Sequence, residues 1–127
     1  MGPTDRITAK DRERFETMQR IGCLVSLVYF GKSGTPGTVH HILEGGRRLG
    51  HQATLYLHPW FHQGQPPTVR QAGRIRQLSQ AEAMALYGPS LELNQGAFER
   101  RFGTQRDLLV MQDNLIETWL SCEAAVA

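Results

Sequence analysis

Apolar positions along this 127-residue chain recur at two spacings, and the change between them marks its elements. From residue 4 to 20 charges dominate, and Phe15, Met18 and Ile21 recur three apart, which predicts a helix over 4–20 capped by Thr4 or Asp5. The next segment, Cys23-Leu24-Val25-Ser26-Leu27-Val28-Tyr29-Phe30, is rich in β-formers and reads as extended. Three glycines and a proline make residues 31–37 a loop. A second short strand is expected over 38–42, a flexible basic loop over 44–50, and extended chain at Leu55-Tyr56-Leu57. Pro59 suits a first helical position and opens a short helix carrying His62.

Residues 63–76 are polar with two prolines and read as loop. Ser79-Gln80-Ala81-Glu82 is a capping box, so 79–87 is predicted helical and Gly88-Pro89 stops it. A short helix follows over 95–102, ended by Gly103. Thr104 caps a last helix to about Ser121, with Leu108, Met111, Leu115 and Trp119 along one side. Trp60 and Trp119 are expected in the core. The pattern gives an α+β fold in one domain spanning 1–127. An N-terminal helix (4–20) and C-terminal helices (79–122) wrap a strand-strand-helix core (22–64).

No stretch approaches the roughly 20 apolar residues that span a bilayer, and the charged N-terminus lacks the apolar segment of a signal peptide. Two cysteines, Cys23 and Cys122, make no disulfide framework, so a reducing cytoplasm is the expected setting. A net charge of +2 excludes a general polyanion coat, but the arginines are patchy. Arg47 and Arg48, in a glycine-rich loop, are the candidate phosphate contacts, since guanidinium pairs with phosphate in bidentate fashion. They could equally be solvated loop charges.

All five histidines lie between positions 40 and 62. Imidazole both binds transition metals and exchanges a proton near neutral pH, so the cluster points to a metal site with a base beside it. Two familiar motifs fail. Gly31-Lys32-Ser33 lacks the P-loop glycine, Ser26 standing in its place, and Pro59 follows His58 where helical zinc proteases need glutamate.

The surviving order, a strand ending in His40-His41, a second strand and a helix presenting His62, resembles the one-metal HNH (ββα-metal) nucleases. More specifically, five pieces resemble the Ref-like, RecA-dependent recombination-enhancement nucleases of temperate phages. They are Gly22-Cys23, His40-His41-Ile42, Gly50-His51-Gln52-Ala53-Thr54, His58-Pro59-Trp60-Phe61-His62, and residues 98–109 around Phe102-Gly103-Thr104-Gln105-Arg106. The resemblance implies a phage-type metal-dependent DNA endonuclease in the cytoplasm of a bacterial host cell, working with DNA and a RecA-type recombinase filament or another host protein. It assigns His40 and His62 as metal ligands and His41 as the base, with His51 orienting the water or the phosphate. One divalent ion is implied: Mg²⁺ or Mn²⁺, although two imidazoles also suit Zn²⁺, Co²⁺ or Ni²⁺.

Members of that family normally carry a zinc knuckle, and its four positions here are Cys23, Ser26, His58 and Phe61. Ser26 is a poor ligand and Phe61 cannot be one, so no structural zinc is expected. An apolar plug of Leu24, Val25, Trp60 and Phe61 would take its place. The altered knuckle leaves a second reading open: an HNH-derived protein without turnover that binds DNA or inhibits a host defence or recombination enzyme.

Overall fold

The structure is a computed structural model that describes residues 6–126. It is α+β, and its centre is a short strand that other elements cover. Strand β1 (Thr38–His41) pairs antiparallel with β4 (Thr54–Leu57), bringing Thr38 opposite Leu57, His40 opposite Leu55 and His41 opposite Thr54. All four residues of β4 are buried. Helix α3 (Pro59–Gln63) follows β4 at once, with Pro59 in its first turn as the sequence predicts. Proline suits that position because its missing N–H would have no partner there anyway.

The edge of β4 that faces away from β1 must still satisfy its backbone groups. Side chains from two helices do so. Arg14 of α1 (Ala9–Ile21) donates from Nη2 to the Thr54 carbonyl at 2.6 Å and from Nε to Thr54 Oγ1 at 2.8 Å. Gln112 of α6 (Gln105–Val126) accepts the Tyr56 N–H at 2.9 Å. Arg14 also meets Asp113 of α6 at 2.7 Å, so one buried guanidinium joins both terminal helices to the strand. Thr54 Oγ1 in turn donates to the His51 carbonyl at 2.9 Å, which fixes the loop before the strand.

Two clusters of buried side chains surround β4. The larger holds Leu24, Val25, Leu55, Leu57, Trp60 and Phe61 with Phe98, Phe102 and Leu108. The four residues expected to form an apolar plug are thus all buried in one cluster. Burying a side chain of this size contributes roughly 1.5–3 kcal/mol. The smaller cluster packs Met18 and Ile21 of α1 against Tyr56 and Ile116. Trp60 donates to the Gly88 carbonyl at 2.9 Å. Leu91 N–H bonds to the Phe61 carbonyl at 2.8 Å, holding the chain after α4 (Gln80–Tyr87) against α3. Between that stretch and α6 lies α5 (Gln95–Phe102), as expected.

The structure departs from five expectations. Helix α1 begins at Ala9 under Thr8; Thr4 and Asp5 lie outside the described residues. Thr8 wins because Asp11 stands three residues on and completes a capping box. The segment expected as a strand is helix α2 (Leu24–Phe30), capped by Cys23 Sγ and ended by Gly31 in the left-handed conformation. Its β-formers pack Leu24 and Val25 on one side and leave Val28 and Tyr29 largely outside, so tertiary packing overrides strand propensity.

The basic loop is a tight hairpin, β2 (Leu43–Glu44) with β3 (Arg47–Arg48), turning at Gly45-Gly46 with both φ angles positive. The polar stretch after α3 is likewise a ribbon, β5 (Thr68–Gln71) with β6 (Arg74–Gln77). Finally, Trp119 is partly exposed, because Leu108, Gln112 and Ile116 form the buried line of α6. No helix among the described residues is long and apolar enough to cross a membrane.

Gly22 occupies a place that no other residue could. Its φ is +92°, and a Cβ there would meet Thr35 N at 2.5 Å.

Arg14→Ala should cost about 3 kcal/mol, since it strips two acceptors at Thr54 of their charged donor. Urea unfolding reads this directly, and a cost under about 1 kcal/mol contradicts the clamp. Asp11 gives a pH signature. Its carboxylate accepts from Thr8 N–H and Gln52, which lowers its pKa from 3.8 to about 2. A lowered carboxylate pKa stabilises the fold above the unfolded value and stops doing so as pH falls through the folded one. The gap in melting temperature between wild type and Asp11→Asn should therefore be full above pH 3.8 and close towards about 2.

Candidate functional site

Side chains alternate along a strand, so neighbours in β1 point to opposite faces. Thr38 and His40 share one face, and Val39 and His41 the other. The histidine pair is thereby split into two different imidazole couples.

On the first face, the rings of His40 and His62 lie 5.0 Å apart between centroids, inclined at 70°. Each ring is held by an oxygen at one nitrogen. His40 Nε2 lies 2.7 Å from Oε1 of Gln105, the first residue of α6. A carbonyl oxygen only accepts, so Nε2 of His40 carries the proton and Nδ1 keeps its lone pair. His62 Nδ1 lies 2.6 Å from Thr38 Oγ1, which leaves Nε2 as its remaining nitrogen. Both rings line an open cavity of about 310 Å³ with Leu43, Leu91, Glu92, Gln95 and Gln105.

On the second face, His41 Nε2 lies 3.0 Å from His51 Nδ1, with centroids 5.2 Å apart. His51 comes from the loop that Thr54 and Arg14 brace, and its ring stands edge-on to Phe15. Its Nε2 is buried and has no hydrogen-bond partner. Burial lowers the pKa of His41, and the positive charge of Arg48 and then the other histidines of the cluster add to that. The ring is therefore held neutral, with a lone pair available. Burial also lowers His62, helped by His40 and opposed by Glu92.

Arg47 and Arg48 are exposed on β3. Their hairpin is tied down by an ion pair between Glu44 and Arg106 of α6. His58 stands apart from both couples. It caps α3 by accepting the Trp60 N–H at Nδ1, 3.1 Å away, and burial lowers its pKa. At the knuckle positions, Cys23 Sγ accepts the Ser26 N–H at 3.4 Å and Phe61 is in the core. Those positions now serve helix capping and packing.

Among the described residues, His40 and His62 are a pair whose donor chemistry suits a divalent ion. His40 and His62 each present one free nitrogen while an oxygen holds the other, the arrangement that orients metal-bound imidazoles elsewhere. With centroids 5.0 Å apart, these two rings would be the ones to hold such an ion. Among the described residues no group of three or more His, Cys, Asp or Glu side chains is placed to hold an ion. Water and substrate oxygens would complete the coordination.

Sequence reasoning missed Gln105, Thr38 and Glu92. Gln105 had a signal, since it lies in the Phe102–Arg106 stretch that carries the family resemblance; Glu92 had none.

The sequence model of a family described as recombination enhancement, RecA-dependent nuclease, matches residues 7–117. No curated protein and no solved structure gives a match. The chain belongs to this family of RecA-dependent nucleases.

The hydrogen bond to Gln105 should hold His40 as its Nε2–H tautomer, visible in long-range ¹H–¹⁵N spectra. Gln105→Leu should release it to a mixture of tautomers without moving the His41 signals. An unchanged His40 spectrum in the variant would show that the Gln105 oxygen does not set the ring.

Proposed function

We propose that this family member is an HNH-type, ββα-metal DNA endonuclease that uses one divalent ion and a histidine base. The observation that carries the reading is the split of His40-His41 across β1. One ring joins His62 in an ion-sized couple, and its neighbour is bonded to His51 as a buttressed base.

Phosphodiester hydrolysis needs a water deprotonated as it attacks phosphorus, and negative charge relieved on the departing 3′ oxygen. His41 supplies the first. In the tautomer this role requires, Nε2–H of His41 donates to His51 Nδ1, so Nδ1 of His41 keeps its lone pair and takes the proton from the water. The lowered pKa keeps that lone pair free at neutral pH. His51 is a positioning residue, holding the ring in one tautomer. His40 and His62 would hold a divalent ion, which would supply charge neutralisation at the leaving oxygen. Mg²⁺ and Mn²⁺ are the proposed ions, with Zn²⁺, Co²⁺ or Ni²⁺ also suited to two imidazoles. Arg48, beside His41, and Arg47 grip phosphate without reading bases. The family description points to a recombinase filament as the setting in which the DNA is met.

Cleavage of plasmid DNA, bare or carrying a recombinase filament, tests this with Mg²⁺ or Mn²⁺ added. His41→Ala should lower the rate about 10²–10⁴-fold while leaving Mn²⁺ binding intact. His62→Ala should weaken Mn²⁺ binding itself. A wild-type protein inert on both DNA forms, or a His41→Ala variant cutting at the normal rate, would sink the proposal. An inert wild type would leave a binding protein built on the same fold, and a normally active His41→Ala variant would leave a nuclease with another base.

A further inference from the structure

Charge along this chain is sharply divided. Residues 45–81 contain five arginines and no Asp or Glu. Two of the five lie on the β2–β3 hairpin beside the histidines. The other three, Arg70, Arg74 and Arg76, lie on the β5–β6 ribbon, for which the proposed chemistry has no use.

The ribbon is exposed along nearly its whole length. Only Val69 packs against the core, and Ile75 is 70% exposed. An isolated two-stranded ribbon is marginally stable in water, so its mounting matters. One root is Pro66-Pro67, whose ring-locked backbone stiffens the approach from α3. The other is Leu78, buried, with its N–H bonded to the Pro67 carbonyl at 2.9 Å. Arg76 braces the side, donating to both Glu82 carboxylate oxygens at 2.8 Å and to Gln71 at 3.1 Å. The outer half is left bare. Register puts Arg70 beside Ile75 on the face away from Val69, and Arg74 on the opposite face, at the tip next to the Ala72-Gly73 turn. Among the described residues neither Arg70 nor Arg74 has a carboxylate partner.

We infer that the β5–β6 ribbon is a DNA-gripping arm, which sets Arg70 from one face and Arg74 from the other against the phosphates of a duplex next to the cleavage site. The major groove of B-DNA admits a two-stranded ribbon, and an arm whose own charges are all basic, with Arg70 and Arg74 unpaired by any carboxylate among the described residues, complements a polyanion better than it does a mixed-charge protein surface. The ribbon's root lies against the start of α3, where Pro66, Pro67, Thr68 and Gln77 line one cavity with His58 and Pro59, so a duplex on the arm lies beside the helix that carries His62. The inference rests on the nuclease reading and deepens it by naming duplex DNA as the substrate form that the arm holds. The grip itself does not depend on turnover.

The test is fluorescence anisotropy of a duplex about three helical turns long, without metal, titrated at several salt concentrations. Arg70→Ala/Arg74→Ala should raise Kd about tenfold or more at low salt. It should also reduce the steepness of log K against log salt by about 2, near 0.9 for each phosphate no longer neutralised. The melting temperature should stay unchanged, because Arg76 and both roots are intact. His41→Ala should bind like wild type, which separates loss of grip from loss of catalysis. If wild type binds the duplex and the double variant does so equally well, the arm is overturned. Loss of binding to a recombinase filament alone, with bare-duplex binding unchanged, overturns it in favour of a protein-binding surface. A wild type with no measurable duplex binding at low salt also overturns it. If the double variant loses binding while the wild type never cleaves, the arm stands and the nuclease reading falls.

Discussion

The outer edge of β4 is the constraint on which the rest depends. A two-stranded sheet of four-residue strands has an open edge, and here that edge is buried, where an unpaired carbonyl or N–H costs about 1–3 kcal/mol. Arg14 and Gln112 close it from two helices that lie near opposite ends of the chain. The bond pattern makes each helix a replacement for a missing strand. It also explains why a guanidinium tolerates burial: it is paired with Asp113 and twice bonded to Thr54.

That closure sets the geometry of the histidines. With β4 fixed, β1 lies in a single register, and alternation along it assigns His40 to the His62 face and His41 to the His51 face. A slip of one residue would exchange them. The His51 loop is positioned through Thr54, which is positioned through Arg14. The ring beside the proposed base is therefore tied to the N-terminal helix, although no described residue of α1 is in a hydrogen bond with a histidine ring. On the other face, Gln105 gives α6 the same role towards His40.

The two β-hairpins outside this frame carry the charge that the frame lacks. Both are short, and both turn through two successive residues of positive φ. Both are fastened by an ion pair to a helix, Glu44 to Arg106 and Arg76 to Glu82. Exposed ion pairs of this kind add little to stability. Their structural effect is to fix where the remaining arginines stand: Arg47 and Arg48 near the imidazoles, Arg70 and Arg74 out on the ribbon. A nearly neutral protein thus carries exposed basic charge on two hairpins.

Local signals were readable wherever the physics is local. The Ser79 capping box, Pro59 at a helix start, Gly103 at a helix end and the extended 55–57 segment each follow from a few neighbouring residues. So did the histidine cluster and its family resemblance. The same locality misled at 24–30, where β-formers became a helix because one side of it had to pack into the cluster around Leu57 and Phe61. It misled again at 63–76, where polar residues hid a ribbon whose mounting lies in Pro66, Pro67 and Glu82. Thr38 with His62, His40 with Gln105, and Arg14 with Thr54 were illegible, since each joins residues 24 or more positions apart. By itself the sequence determined which residue types were available for chemistry and where short-range backbone preferences would turn the chain. Which imidazole met which partner was decided only by packing around β4, because that depends on meetings of distant segments that no spacing along the chain encodes.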